Sequence, residues 1–374
     1  MTSTDHANAD LLPSRADLEL WAAELGFAQL GITDVDLSAY DPHVRQWLQA
    51  GFAGEMGYLE RNLEKRLNPA LLEADTCRVI SVRMDYLPDG EAPIRVLEDT
   101  SKAYISRYTL GRDYHKVLRK RLAKLAQRIN DTLQTNQEPG YNFRAFTDSA
   151  PVLEKALGEK AGLGWIGKHT LLLNKQAGSW FFLGEIYTDA PFPLDAGHLD
   201  PAQNSSEDGC GKCSACITVC PTQAIVAPRT LDATRCISYL TIEHKTSIPK
   251  ELRKPMGNRI FGCDDCQLFC PWNREGTRSP TFTSEPDFQV RHELDNVALL
   301  DLFCWSETEF LQHTEGSAMR RVGYDQWQRN LAVALGNGPA TPEVIHALQT
   351  RLPTASSMVA EHIQWALEQL STSA

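Results

Sequence analysis

The sequence predicts a chain of three parts: a mixed α/β segment, a small cysteine-rich unit and a tail of short α-helices. Strand-like and helix-like patterns alternate through residues 1–195, which is typical of an α/β fold. Eight of the ten cysteines then fall within residues 196–275. From Val297 onward short amphipathic patterns follow one another, so residues 276–374 are predicted to form stacked helix pairs, as in an α-solenoid.

Apolar runs and helical periodicity predict the individual elements. Buried strands are expected at Arg78–Met84, Thr170–Leu173 and Phe181–Tyr187. An amphipathic helix is expected over Asp113–Asn130, where apolar residues recur at spacings of four, three and four: Leu118, Leu122, Leu125 and Ile129. The tail is expected to hold helices at Leu300–Leu311, Tyr324–Leu335, Pro342–Leu348 and Met358–Leu370. Residues 191–209 are predicted to be a linker and 276–290 a loop.

The composition and charge limit the class of protein. The chain is 42% hydrophobic and 23% charged, which is ordinary for a globular protein. Its net charge of -11 repels polyanions, so contact with nucleic acid requires a local basic patch. No apolar stretch approaches ~20 residues and the N-terminus resembles no signal peptide, so we expect no membrane partner and a cytoplasmic location. Thiols stay reduced there, so clustered cysteines indicate metal binding rather than disulfides.

Two cysteine motifs lie in the middle part. The first is C-x2-C-x2-C-x3-C followed by proline, formed by Cys210, Cys213, Cys216 and Cys220. The second is C-x2-C-x3-C followed by proline, with one cysteine well upstream: Cys263, Cys266, Cys270 and Cys236. This is the bacterial ferredoxin pattern, in which the fourth cysteine of a run ligates the other [4Fe–4S] cluster.

The motifs therefore predict a ferredoxin-like unit with two [4Fe–4S] clusters. Cluster 1 is expected to be held by Cys210, Cys213, Cys216 and Cys270. Cluster 2 is expected to be held by Cys220, Cys236, Cys263 and Cys266. The alternative is structural zinc, although two complete runs ending in proline are unusual for zinc fingers. Outside the unit, Cys77 and Cys304 are predicted to be buried structural thiols.

A glycine-rich stretch, Gly162–Lys168, precedes the cysteine-rich unit. It lacks the spacing of a P-loop, and no G-x-G-x-x-G motif follows a strand, so a dinucleotide-binding Rossmann site is not expected. The stretch is either a tight turn or a backbone surface pressed against a flat cofactor. Because two clusters need far fewer residues than this chain has, the α/β segment is expected to hold what receives their electrons.

Several long motifs resemble those of the epoxyqueuosine reductase family. They are DSAPVLE at Asp148–Glu154, AGLGWIGKHTLLLN at Ala161–Asn174, CISYLTIE at Cys236–Glu243, GNRIFGCDDCQLFCPWN at Gly257–Asn273, EGSAMRR at Glu315–Arg321 and RNLAVALGN at Arg329–Asn337. The resemblance begins with GEMGYLERN at Gly54 and covers nearly the whole chain.

The resemblance implies an oxidoreductase that performs the last step of queuosine synthesis, in which epoxyqueuosine at the wobble position of tRNA loses its epoxide oxygen as water. It implies cobalamin bound by an N-terminal domain of nitroreductase-like fold, beside the two clusters, and HEAT-like repeats in the C-terminal helices. The partner is tRNA carrying epoxyqueuosine in its anticodon loop. We also expect a monomer and an electron donor that the sequence does not identify.

The resemblance places Asp148 at the family's proton-donor position. A free aspartate has a pKa near ~3.9, so its apolar neighbours are expected to raise the pKa for it to act as an acid. From the residues alone, the D-S-A-P pattern fits better a cap on a helix beginning at Pro151. The resemblance favours the catalytic role.

Cobalamin contacts are expected at residues in stretches that match the family: Arg66, Asp148, Lys168, His169, Ser238 and Asp264. Lys168 and His169 are expected to hydrogen-bond the amide side chains of the corrin, although a lone histidine near a strand is more often structural. No D-x-H-x-x-G motif is present, so no protein histidine is expected on cobalt.

Three basic stretches are candidates for tRNA contact, although such a stretch is usually a solvated helix face. The densest contains Lys102, Arg107, Arg112, Lys116, Arg119, Lys120, Arg121, Lys124 and Arg128. The others contain Lys250, Arg253, Lys254 and Arg259, and Arg320, Arg321 and Arg329. Base stacking is expected from Tyr239, Trp272 or Trp305.

Two other functions fit parts of the pattern. A reductive dehalogenase also combines cobalamin with two clusters, but such enzymes are usually exported with a twin-arginine signal, which is not seen here. A multidomain electron carrier or iron–sulfur scaffold would bind no cobalamin and would need no acid in the α/β segment.

Overall fold

The structure is a computed structural model that describes residues 12–135, 140–195, 209–274 and 282–372. Its strands are β1 (Gln29–Thr33), β2 (Arg78–Asp85), β3 (Tyr104–Ile105), β4 (Phe143–Phe146), β5 (Trp165–Ile166), β6 (Leu172–Leu173), β7 (Phe181–Thr188), β8 (Ile225–Ala227), β9 (Thr230–Leu231) and β10 (Arg259–Phe261). Its helices are α1 (Arg15–Glu24), α2 (Asp41–Gln49), α3 (Tyr58–Arg61), α4 (Leu63–Leu67), α5 (Pro69–Leu72), α6 (Pro93–Glu98), α7 (Tyr114–Thr135), α8 (Glu154–Lys160), α9 (Ala215–Val219), α10 (Ile237–Ile242), α11 (Lys250–Met256), α12 (Asp265–Leu268), α13 (Leu299–Cys304), α14 (Glu307–His313), α15 (Tyr324–Gly336), α16 (Pro342–Arg351) and α17 (Ser357–Thr372).

A four-stranded antiparallel sheet in the order β1-β2-β7-β4 forms the centre of the α/β part. The strands predicted at Arg78–Met84 and Phe181–Tyr187 are confirmed as β2 and β7, which pair along their whole length. Because side chains alternate across a strand, one face of the sheet packs its Ile and Val residues against α1 and α7. The opposite face, which carries Ser81 and Glu185 side by side, lies under α8.

The glycine-rich stretch and the strand predicted after it form a hairpin. The strand predicted at Thr170–Leu173 is confirmed only for Leu172–Leu173, which pair with Trp165–Ile166. A Cβ on Gly164 would lie 1.9 Å from the carbonyl oxygen of Leu173, so no side chain fits at this crossing. A tight turn therefore accounts for the glycine at position 164.

The helices follow their predicted positions with two differences. The helix predicted at Asp113–Asn130 is α7, which continues to Thr135. The helix predicted at Leu300–Leu311 is two helices, because Ser306 caps α14 through a reciprocal pair of bonds with Glu309 and thereby ends α13 two residues earlier. The other three predicted tail helices are confirmed as α15, α16 and α17.

One apolar core connects the three predicted parts. Strand β3 of the first part pairs in parallel with β10 of the cysteine-rich unit. Ile105 of β3, Phe261 of β10 and Trp327 of α15 are all buried in the same cluster. The three parts are therefore fixed to one another by shared packing, while the domain boundaries and the nitroreductase-like and HEAT-like descriptions stay predictions.

Part of the predicted linker (196–208) and of the predicted loop (276–281) lies outside the described residues. Within the described ranges, no helix combines the length and apolar character that crossing a bilayer requires.

Candidate active site

The cysteine-rich unit brings its thiols together in two groups. Burial raises the pKa of Cys270 to about 11, and three thiols of the first motif act in the same direction: Cys210, Cys216 and Cys213. Burial also raises the pKa of Cys266 well above its usual range, with Cys236 the leading charged neighbour and Cys220 another. Cys263 likewise interacts with Cys236. These interactions are compatible with the ligand sets predicted for clusters 1 and 2, although Cys216 also interacts with Cys266, and the assignment of ligands to clusters stays a prediction.

The first group of thiols surrounds a cavity of about 220 Å³. Lys168 and His169 lie in its wall. The Lys168 ammonium donates to the carbonyl oxygens of Gly211 and Cys213 at 2.6 and 2.9 Å, so it braces the loop that carries the thiols. Four thiols that line one cavity match the donor set of a [4Fe–4S] cluster.

His169 is 3% exposed. Its Nδ1 accepts the backbone N–H of Leu171 at 3.1 Å, and its Nε2 has no partner among the described residues. Burial lowers the pKa of His169 to about 4, and the charge of Lys155 acts in the same direction. The imidazole is therefore neutral, with its proton on Nε2.

The second group of thiols is braced by backbone donors and by the α/β part. The N–H groups of Tyr239 and Ser238 donate to Cys236, although burial still raises the pKa of that thiol. Asp264 is 1% exposed and accepts from the Tyr104 hydroxyl and the Arg107 N–H, both at 2.8 Å, and from the Ser106 hydroxyl. The Asp264 carboxylate is thus a cross-link between the unit and β3.

Asp148 lies in the loop that precedes α8, with 47% of its side chain exposed. Its Oδ2 accepts the Tyr114 hydroxyl at 2.5 Å and lies 2.8 Å from His115 Nε2. His115 Nδ1 lies 2.8 Å from Asp113 Oδ1. The imidazole therefore lies between two carboxylates, and the φ of +51° at Asp148 is in the left-handed region, which is common at functional sites.

The protonation state of this group differs from the prediction. The part of Asp148 that is shielded from solvent acts to raise its pKa, but the hydrogen bonds from His115 and Tyr114 outweigh this effect, so the pKa is lowered. Burial acts to lower the pKa of His115, but the hydrogen bonds to Asp113 and Asp148 outweigh it and raise the pKa to about 9. The expected raised pKa of Asp148 is therefore wrong, because the proton at neutral pH resides on His115.

The helix-cap interpretation of Asp148 is also wrong. Helix α8 begins at Glu154 rather than at Pro151, and its N-cap is Leu153. Asp148 instead donates its backbone N–H to the Glu154 carboxylate.

Sequence reasoning missed Tyr114, His115 and Glu185. Tyr114 and His115 were assigned only to the predicted helix, and they lie 34 and 33 positions from Asp148. A Tyr–His pair in the first turn of a basic helix was the available signal. Glu185 carried a signal as well, since a charged residue in the middle of an otherwise apolar strand needs a reason.

A second cavity, of about 540 Å³, lies between α2, α4, α8 and β9. Arg66 lies in its wall, donates to the carbonyl oxygen of Val152 at 3.3 Å and has an Nε without a partner among the described residues. Lys155 and Trp47 also line the cavity. Arg66 thus differs in role from Lys168, His169, Ser238 and Asp264: it faces this cavity, whereas they brace or adjoin the cluster thiols.

The structure reduces the number of residues in the three basic stretches that can contact RNA. Arg107, Arg253 and Arg329 are buried and bond within the fold, so they are inaccessible to RNA. Several others are held in ion pairs: Arg121 with Glu285, Arg128 with Glu24, Arg259 with Asp265 and Arg321 with Glu243. The exposed cations of α7 outside these ion pairs are Lys116, Arg119, Lys120 and Lys124. Arg119 donates to the Ser149 hydroxyl beside Asp148.

Two further predictions need correction. Tyr239 is 6% exposed and its hydroxyl accepts the Glu55 N–H, so it cannot stack on a base, whereas Trp272 and Trp305 are half-buried. Cys304 is exposed at the end of α13 rather than buried, and Cys77 is half-buried with its thiol donating to the carbonyl oxygen of Asp189.

Two family models match this chain. Residues 209–273 match the 4Fe-4S double cluster binding domain, which confirms two iron–sulfur clusters rather than zinc. Residues 66–149, which contain Arg66, His115 and Asp148, match the model described as epoxyqueuosine reductase QueG, DUF1730.

The relatives are similar over almost the whole chain. An epoxyqueuosine reductase from Pseudomonas aeruginosa is 56% identical over 347 residues, which are 93% of this chain and 92% of that protein. The structure of epoxyqueuosine reductase from Bacillus subtilis, with an aspartate-bearing catalytic loop swung out of the active site, has a TM-score of 0.81 at 27% identity, over 95% of this chain and 90% of that one. An epoxyqueuosine reductase solved with an epoxyqueuosine-modified tRNA-Tyr stem loop has a TM-score of 0.77 at 25% identity, over 96% and 98%. On this similarity, together with its cluster thiols and its Asp148 site, the chain belongs to the epoxyqueuosine reductase family.

Proposed function

We propose that this chain reduces epoxyqueuosine to queuosine at the wobble position of tRNA, using two [4Fe–4S] clusters and cobalamin. The observation that carries the proposal is the Asp148 carboxylate, exposed to solvent and hydrogen-bonded to a protonated His115. Family membership argues against the reductive dehalogenase and the electron carrier, since the similar curated protein is an epoxyqueuosine reductase. A cytoplasmic location, a monomeric state and the identity of the electron donor stay predictions.

Converting an epoxide to an alkene and water consumes two electrons and two protons. Clusters deliver electrons singly at low potential. In our assignment Cys210, Cys213, Cys216 and Cys270 hold cluster 1, and Cys220, Cys236, Cys263 and Cys266 hold cluster 2, which agrees with the two groups of thiols. Cys216 of the first group also interacts with Cys266 of the second, so electrons have a short path between the clusters.

The protein supplies the proton at the breaking C–O bond. His115 carries a proton at neutral pH and shares it with Asp148 across 2.8 Å. As negative charge develops on the epoxide oxygen, Asp148 passes this proton to the oxygen and His115 becomes neutral. Asp148 is thus the proton donor to substrate, and His115 is the group that reloads it. After His115 takes up a proton from solvent, the same relay delivers the second proton, with which the oxygen leaves as water.

The second cavity fits part of a cobalamin molecule. Its wall offers apolar side chains together with the unpartnered Nε of Arg66 and the exposed Lys155, and such groups can bond a ligand's amides or phosphate. Bound cobalamin supplies the metal-centred reductant that the epoxide requires. Arg66 and Asp148 are our leading contacts, while Lys168, His169, Ser238 and Asp264 are proposed to act from the cluster side.

The reaction itself tests the proposal. Anaerobically reconstituted protein, given cobalamin, a strong reductant and epoxyqueuosine-containing tRNA, is expected to form queuosine, detected by nucleoside mass spectrometry. Omitting cobalamin is expected to abolish the product. Product without cobalamin would contradict the cofactor assignment, and no product with all components would contradict the function.

The anticodon stem loop is proposed to lie along the exposed cations of α7, which lead to Asp148. Lysine and arginine bound to phosphate release counterions, so tRNA affinity should fall steeply with salt. Replacing Lys116, Lys120 and Lys124 together with glutamine should weaken binding and flatten the log–log salt dependence by about one unit for each phosphate that is no longer neutralised.

Fluorescence anisotropy of a labelled stem loop at several salt concentrations measures this slope. Lys254→Gln, an exposed lysine on α11, is the matched control and should leave the slope unchanged. A slope lowered by Lys254→Gln, but unaffected by the triple variant, would place the interface on the cluster unit instead.

A further inference from the structure

Two donors bond the same oxygen of the Asp148 side chain. The Tyr114 hydroxyl donates to Oδ2 at 2.5 Å, and Nε2 of the protonated His115 donates to the same atom at 2.8 Å. Within the described ranges no group bonds Oδ1, and 47% of the side chain is exposed. The two oxygens therefore differ: Oδ2 is the inner oxygen, held by the protein, and Oδ1 is the outer oxygen, available to substrate.

The Tyr114 ring is fixed in a stack of three aromatic rings. Its centroid lies 4.1 Å from that of Phe182 on β7, with the two rings 7° from parallel. It lies 4.1 Å from that of His115, at an angle of 26°. The Tyr108 ring meets it edge-on at 5.9 Å. Because packing on both faces restricts the ring, the hydroxyl that bonds Asp148 has one position.

The Tyr114 bond has a consequence for the path of the proton. A hydrogen bond to the charged form of a carboxyl group favours that form, so Tyr114 keeps Asp148 ionised and able to receive a proton from His115. The proton arrives on the inner oxygen, whereas the substrate meets the outer side of the carboxyl group. A half-turn about the Cβ–Cγ bond exchanges the two oxygens, which turns the new O–H outward and brings the unprotonated oxygen to the Tyr114 hydroxyl.

We propose that Tyr114 is a positioning residue for the reaction: its hydroxyl holds whichever oxygen of Asp148 faces inward, so that the oxygen carrying the proton faces the substrate. The proposal rests on the proposed role of Asp148. One proton moves from Nε2 of His115 to the carboxylate and then to the epoxide oxygen, after which Asp148 is again an anion and His115 is neutral. Tyr114 neither gains nor loses a proton.

Titration of His115 tests the Tyr114 bond without substrate. In Tyr114→Phe the ring stack remains, but the Asp148 anion loses one of its two donors and interacts more strongly with the charged imidazole. The pKa of His115, about 9 in the wild type, should therefore rise. NMR of protein labelled with carbon-13 in its histidines measures this pKa, and the resonance that is missing from His115→Gln identifies the signal.

The other titratable or charged groups around Asp148 and His115 are the same in this variant, so a shift reports the lost hydroxyl: Asp113, Tyr108, Tyr58, Arg66, Glu154, Glu185 and Arg321. Tyr108→Phe is the matched control, because its ring contacts that of Tyr114 while its hydroxyl bonds no group in the described ranges, and it should leave the pKa of His115 unchanged.

A second variant changes the strength of the bond rather than removing it. 3-Fluorotyrosine in place of Tyr114 has a more acidic hydroxyl, which is a stronger donor, so it should lower the pKa of His115. The same pKa of His115 in wild type and Tyr114→Phe, or an equal rise in Tyr108→Phe, would overturn the proposal.

Single-turnover rates then separate positioning from structural support. Tyr114→Phe should lower the rate of queuosine formation about tenfold, the order of effect of one hydrogen bond to a charged group. It should also move the fall in rate, expected near pH 9, to higher pH together with the pKa of His115. A lower rate with an unmoved pH profile would show that Tyr114 only supports the fold, and would refute the positioning role. Because the NMR titration needs no substrate, it stands if the proposed reaction itself fails.

Discussion

Asp148→Asn is expected to lower the rate of epoxyqueuosine reduction by about two to four orders of magnitude, the range that a positioned proton donor contributes. The amide keeps the shape of the side chain and can still bond Tyr114, but it cannot take a proton from His115 and pass it to the epoxide oxygen. Single-turnover formation of queuosine, followed by mass spectrometry, measures the loss.

The controls for this variant concern binding and folding. Asp148→Asn should keep its iron content and its tRNA affinity, because the residue holds no cluster and lies beside the cations of α7 rather than among them. Asp113→Asn should lower the reaction rate less than Asp148→Asn does, since Asp113 bonds Nδ1 of His115, the ring nitrogen that faces away from Asp148. A rate close to wild type for Asp148→Asn would remove it from the chemistry.

The protonation state of His115 also predicts how the reaction rate depends on pH. The pKa of His115 is raised to about 9, so the imidazole is charged at neutral pH and loses its proton as the pH passes that value. The wild-type rate should therefore fall above pH 9. His115→Gln should lower the rate and should also abolish this fall at high pH. A change in rate near pH 4 instead would show that Asp148 holds the proton without His115.

Cys270→Ala and Cys266→Ala are expected to remove different clusters, although both residues belong to the same short motif. Cys270 groups with Cys210, Cys213 and Cys216, whereas Cys266 groups with Cys236 and Cys220. Each variant should retain about four of the about eight iron atoms and lose queuosine formation, because removing either cluster interrupts the electron path.

Iron analysis and EPR of the reduced proteins distinguish the two variants. Their remaining signals should differ from each other and should sum to the wild-type spectrum, apart from the coupling between clusters. Cys304→Ala, which removes an exposed thiol outside the unit, should leave iron content and spectrum unchanged. Identical residual spectra for Cys270→Ala and Cys266→Ala would refute the exchange of the last cysteine between clusters.

Local sequence patterns predicted the elements that depend on neighbours along the chain. Apolar runs located β2 and β7 because these strands are buried on both faces, and helical spacing located α7. The pattern failed at Leu300–Leu311, where periodicity continues across a break made by the Ser306–Glu309 capping pair. It also failed for Arg107, Arg253 and Arg329, because a list of cations does not reveal which ones the fold buries.

The two iron–sulfur clusters and the family could be predicted from the order of residues, because cluster loops are short and the spacing of their ligands is a property of the linear chain. The positions of the protons, in contrast, depend on contacts that form when the chain folds. His115 and Asp148 are 33 positions apart and Glu154 and Glu185 lie on different elements, so their pKa values depend on burial and on charges that folding brings together. A residue's place in a motif identifies its chemical group, whereas its protonation follows from its neighbours in space.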